Sequence, residues 1–76
     1  MANYFNLSGN DNFYGQIEVR TYYNVHENRL QSTINYMINN WLSINVIFIY
    51  DAKTKEYLGS YSRKYNKITW GYVKKK

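Results

Sequence analysis

The chain is 76 residues long and carries ten Lys or Arg against five Asp or Glu, a net charge of +5, with no cysteine and no proline. That length holds one domain, which buries only about 60% of the surface its unfolded chain exposes. The core must therefore draw on the Tyr, Phe and Trp that make up a fifth of the chain, each ring burying roughly 150–250 Å². The lack of cysteine excludes a disulfide framework and a thiolate metal site.

In chain order, "NYFNL" at 3–7 predicts a short first strand, set off by the polar stretch "SGNDN". "FYGQIEVRTYY" at 13–23 alternates Ile17, Val19, Thr21 and Tyr23 against Gln16, Glu18, Arg20 and Tyr22, the period of a half-buried strand. The period then changes. Leu30, Ile34, Met37, Ile38, Trp41 and Leu42 form one apolar stripe at helical spacing, and Asn24 with Glu27 reads as a capping box, so one amphipathic helix is expected over about 25–42. "INVIFIY" at 44–50 is apolar on both faces apart from Asn45 and reads as the central strand. "DAKTKE" at 51–56 is a polar connection, "YLGSYSRK" at 57–64 a further strand, Tyr65-Asn66 a tight turn, and "KITWGYV" the last strand. The expected fold is thus α+β, one amphipathic helix packed on an antiparallel sheet of four to five strands in the order β-β-α-β-β-β. It spans residues 1–76 as a single domain, with 74–76 as a basic tail.

Pairing Tyr50 with Tyr57 and Lys64 with Lys67 predicts which side chains share a face. One face collects Ile44, Val46, Phe48 and Tyr50 with Tyr57, Gly59, Tyr61 and Arg63, then Ile68, Trp70, Tyr72 and Lys74. Left open, this face has the make-up of a stacking platform for single-stranded nucleic acid, with Arg63 and Lys74 at its rim. Leaving Ile44, Val46 and Phe48 in water costs about 1.5–3 kcal/mol each, which favours covering the face with the helix. Met37 and Trp41 are then expected against Phe48, Tyr61 and Trp70, with Gly59 making room between Phe48 and Tyr72.

The inventory for catalysis is thin. There is one histidine, His26, expected on the surface of the first helical turn, and five scattered carboxylates. No Ser–His–acid motif, converging metal-ligand set, calcium loop or Gly-rich phosphate loop is present, so a non-enzymatic protein without cofactor or metal is expected. "INVIFIY" is far short of the ~20 apolar residues of a membrane-spanning helix. "MANYFNLSGN" has neither the basic nor the apolar region of a secretory signal, so a soluble, cytoplasmic protein with no membrane association is expected. The glycosylation triplet Asn6-Leu7-Ser8 then has no use.

Charge is uneven along the chain. Residues 1–50 carry a net of −1 and residues 51–76 a net of +6, so the whole excess lies in the last third. A one-sided basic surface attracts polyanions: nucleic acid, an acidic protein face or anionic lipid. The candidate contact residues are Lys53, Lys55, Tyr57, Tyr61, Arg63, Lys64, Tyr65, Lys67, Lys74 and Lys75. Asn, Tyr, Ile and Lys, all with AT-rich codons, account for 35 of the 76 residues, which points to a phage or other mobile element of a low-GC host. Size, charge and composition are of the general character of anti-CRISPR proteins, with no motif tying the chain to any of them. The leading expectation is an inhibitor or modulator of a host nucleic-acid-handling protein or defence nuclease complex, binding an acidic surface on that protein or nucleoprotein. Direct DNA or RNA binding and self-assembly through sheet edges are the alternatives.

Overall fold

A long hairpin sets the frame. In the computed structural model, which describes residues 3–71, β1 (Tyr4–Phe13) pairs antiparallel with β2 (Gln16–His26). The link is Tyr14-Gly15, with φ of 52° and 81°, the two positive values a type I′ turn demands. β1 runs straight through "SGNDN", which the sequence marks as a loop. Asn and Gly are poor strand formers alone, but here Gly9, Asn10 and Asp11 pair with Arg20, Val19 and Glu18 of the regular β2 alternation.

β2 continues to His26, three residues beyond its expected end, through a bulge in which Leu7 pairs with Tyr22 and Phe5 with Val25. Asn24 occupies that bulge at φ 56°, and its N–H donates to Asn6 Oδ1 at 3.1 Å. It therefore does not cap the helix, and the expected capping box is not formed. His26 caps instead, its Nδ1 accepting from the Asn28 N–H at 3.1 Å ahead of a 3-10 turn, Glu27–Arg29. The helix proper, α1 (Leu30–Asn40), buries Leu30, Ile34 and Met37, with Ile38 and Trp41 packed at the margin. The apolar stripe fails only at Leu42, which lies past the helix end and is 76% exposed.

β3 (Val46–Asp51), β4 (Tyr57–Ser62) and β5 (Lys67–Trp70) complete a five-stranded antiparallel sheet in the order β2-β1-β3-β4-β5. The fold is the expected α+β arrangement, with β3 central. The faces of β3 are not those expected. Tyr50 does pair with Tyr57, but a bulge follows at once, so that Ile49 pairs with Gly59 and Phe48 with Ser60. The β4–β5 link is four residues, Arg63–Asn66, closed by Ser62 opposite Lys67 and by the Asn66 N–H donating to Ser62 O at 2.7 Å. Asn66 takes the left-handed conformation this turn needs, at φ 54°. Because strand side chains alternate with period two, the one-residue bulge beside Tyr50 reverses β3 relative to β4, whereas the turn keeps Gly59 and Tyr61 on the face of Trp70 and Ile68, as expected.

The consequence is two continuous rows on the helix side. Tyr22, Leu7, Ile49, Gly59 and Trp70 lie across the five strands, and beside them Arg20, Gly9, Ile47, Tyr61 and Ile68. Leu7, Ile47 and Ile49 are fully buried under Ile34 and Met37, with Ile44 closing the end of the core. Phe48 is not among them, contrary to the expectation that α1 covers it. Gly59 faces Ile49 and Trp70 and not Phe48 and Tyr72.

Candidate functional site: the uncovered sheet face

One helix covers one face of a sheet, and α1 takes the face of Ile47 and Ile49. The other face is assembled from the alternate residues. Thr21, Ser8, Phe48, Ser60 and Thr69 form a row across all five strands. Phe48 stands at its centre, 36% exposed, with serines on both neighbouring strands and threonines beyond them. No flanking side chain is tall enough to bury the ring.

The next row joins Asn6, Tyr50 and Tyr57, and the bulge that reverses Gly59 leaves Tyr57 on this side. Tyr57 meets Tyr50 with ring centroids 5.9 Å apart and Phe48 at 6.3 Å, so the three rings form one cluster. Val46 lies on the other side of Phe48, opposite Ser62, and Asn10 beside Val19 extends the face towards β2. Apart from Lys67 on the far edge strand, the rows just described carry no charge.

The sequence-predicted contact residues separate into groups. Tyr57 is on the face. Tyr61 is 2% exposed, its hydroxyl donating to Asn66 Oδ1 at 2.8 Å, and it belongs to the core. Arg63 is not a rim cation either. Its Nε–H donates to Ile44 O at 2.7 Å and its Nη2 to Ile38 O at 2.9 Å and Trp41 O at 3.3 Å, so the guanidinium closes the C-terminal end of α1. A cation among the last carbonyls of a helix is electrostatically favoured there.

Lys53 and Lys55 are in the β3–β4 loop, which is built on Asp51 and Ala52. Asp51 Oδ1 accepts from the Lys53 N–H at 2.8 Å, and Lys55 Nζ folds back to Ala52 O at 3.0 Å. Lys64, Tyr65 and Lys67 are at the β4–β5 turn, with Lys64 Nζ 5.5 Å from the Tyr65 ring. These two basic groups sit at opposite ends of β4, on either side of the aromatic cluster, and do not form one patch. Lys74 and Lys75, with Tyr72, Val73 and Lys76, lie outside the described residues.

A separate groove of about 710 Å³ runs between the end of β2 and the start of α1, bounded by Tyr4, Tyr22, His26, Arg29 and Tyr36 among others. Burial pushes the Tyr22 phenol above its ordinary value, and the neighbouring Tyr36 adds to the shift. His26 is at the strand end, edge-on to Tyr4 at 5.0 Å, and not on a helix surface. Among the described residues no three His, Asp or Glu converge as metal ligands, and no helix is long and apolar enough to cross a membrane.

Phe48, Val46 and the hydroxyl row are the functional candidates that sequence reasoning misses. The signal available was architectural: a lone helix leaves one face of an apolar central strand without cover. Comparison with known proteins adds no identification, since no family model, curated protein or solved structure matches the chain.

Proposed function

We propose that this chain is a non-enzymatic binding protein that docks on another protein through its uncovered sheet face and blocks it sterically. The observation that carries this reading is Phe48, an aromatic ring at the centre of an uncharged face, raised among serines and threonines and joined by Tyr50 and Tyr57. Interface centres are enriched in aromatic anchors and depleted in charge. Lys53 and Lys55 at one end of β4 and Lys64 and Lys67 at the other suit a rim that steers the face onto an acidic protein surface.

The target class rests on the sequence. A small chain of AT-rich composition with its positive charge in the last third fits a mobile-element product acting in the cytoplasm of its host on a nucleic-acid-handling protein or defence nuclease complex, in the manner of an anti-CRISPR protein. Direct nucleic-acid binding draws less support, because Arg63 is engaged with carbonyls and the described lysines are divided between the two ends of β4. The test is affinity capture from host extract with the natural chain and the Phe48→Asp variant, beside titration of a labelled oligonucleotide at low and moderate salt. The proposal expects a stoichiometric protein partner captured by the natural chain alone, and no oligonucleotide binding. Oligonucleotide binding that weakens steeply with salt, with no protein captured, would overturn it in favour of direct nucleic-acid recognition.

A further inference from the structure

The two edges of the sheet differ. β5 is short, Lys67–Trp70, and begins with a lysine, both recognised protections against strand addition. β2 spans Gln16–His26 with neither Lys nor Pro, and its Ile17 and Val19 are 62% and 60% exposed. The bulge of β2 lies beyond Tyr22, so Gln16–Thr21 presents a regular stretch of outward N–H and C=O groups that a further strand could use.

We propose that β2 is a self-association edge, pairing antiparallel with β2 of a second copy of this chain about a two-fold axis at Val19. The backbone fixes the register. The type I′ turn closes on Phe13 and Gln16, so the Gln16 N–H and C=O face β1, and by alternation those of Ile17, Val19 and Thr21 face outward. A symmetric pairing that uses these groups sets Val19 opposite Val19 and Ile17 opposite Thr21. The same register sets Glu18 of each copy opposite Arg20 of the other, in the non-hydrogen-bonded positions where side chains approach most closely.

This charge match is independent of the backbone argument. The Glu18 side chain is 68% exposed, and Arg20 is already held in place, 2.7 Å from Glu18, 3.3 Å from Asp11 and with its guanidinium 4.9 Å from the centre of the Trp41 ring. Arg20 is therefore held in a fixed position on the edge strand. Shifting the register by two residues would break the reciprocal Glu–Arg match, so one alignment is selected. The two-fold axis stands perpendicular to the sheet, which puts the Phe48 faces of both copies on the same side of one ten-stranded sheet. The pairing is distinct from the docking proposed for that face and stands or falls separately.

A pairing of this length is smaller than a standard interface, which places its dissociation constant at about 10 µM to 1 mM. The test is sedimentation equilibrium across that range, with far-UV circular dichroism confirming the fold of each variant. The natural chain is expected to dimerise. Glu18→Arg sets two guanidinium groups against each other and Arg20→Glu two carboxylates, so each alone is expected to weaken dimerisation at least tenfold, while their equimolar mixture restores it as a heterodimer. Val19→Pro, tolerated at an edge but lacking the central N–H, is expected to be monomeric. A natural chain that stays monomeric at 1 mM overturns the proposal, as does association unaffected by Glu18→Arg and Val19→Pro, or a variant mixture that does not associate.

Discussion

Arg63, just beyond the end of β4, donates its Nε–H to the carbonyl oxygen of Ile44 at 2.7 Å, linking the second half of the sheet to the segment that leaves the helix. The Arg63 backbone N–H reaches Asn45 O at 2.8 Å in the same direction, and Nη2 reaches Ile38 and Trp41. One side chain thus satisfies carbonyls that the end of α1 leaves without intrahelical partners.

Replacing Arg63 by Ala should cost about 2–3 kcal/mol, since a charged donor is lost and partly buried carbonyls lose their partner. In a domain of this size that corresponds to a melting point lower by roughly 10–20 °C. Arg63→Lys should recover only part of the loss, because an ammonium has no planar fork to span several carbonyls. Thermal and urea denaturation measure both. A variant within 0.5 kcal/mol of the natural chain would show that water replaces the guanidinium at no cost.

Gly59 is the second structural position with a sharp expectation. A Cβ there would lie 2.5 Å from the Thr69 carbonyl oxygen and 3.0 Å from the Trp70 Cα, both backbone atoms of β5. Gly59→Ala must therefore displace a strand and not a flexible side chain, at a cost of about 1–3 kcal/mol. Hydrogen exchange of the β5 amides, Ile68 to Trp70, should quicken more than that of β3. Unchanged β5 protection would mean that the Thr69 carbonyl has room to turn away.

How far the molecule was legible in its sequence is visible at these two positions. The helix, the order of elements along the chain and the central place of β3 follow from hydrophobic period, which is local. The face of β3 does not, because it depends on a one-residue event between strands, the bulge beside Tyr50. A run such as "YLGSYSRKYNK" permits either register until side chains on three strands are packed together. That ambiguity put Ile47 and Ile49 beside Tyr61 and Gly59 on the helix side and left Phe48 outside. Arg63 read as a surface cation because nothing in a sequence marks which carbonyls a helix end leaves open in space.

Tyr22 carries the pH dependence. Its phenol is pushed up by burial first and by Tyr36 second, while in the unfolded chain it ionises near pH 10. Its stabilising contribution is complete below pH ~10 and is lost as the pH rises from there through the folded value, where the unfolded state has already released the proton. Tyr22→Phe keeps the ring contacts with Tyr36 and Trp41 and removes the ionisation. Its urea midpoint should fall less between pH 9 and pH 11 than that of the natural chain, and an equal fall in both proteins would remove Tyr22 from the account.

Phe48 separates folding from binding. It lies on the face opposite α1, with its ring centroid 6.3 Å from that of Tyr57, and is flanked by Ser8 and Ser60, so its truncation opens no enclosed cavity. Phe48→Ser should cost at most about 1–1.5 kcal/mol in stability, below the range for fully buried aromatics. Against a protein partner docked on this face, loss of a central aromatic anchor should cost about 2 kcal/mol or more, a weakening of roughly thirtyfold. A charge reversal at the rim, Lys53→Glu with Lys64→Glu, should instead lower the association rate and its salt dependence while leaving dissociation nearly unchanged. Calorimetry and kinetics of the same variants distinguish the two roles. Should Phe48→Ser bind as the natural chain does while the rim variant loses the partner, the contact lies in the lysine loops at the ends of β4 and not on the sheet.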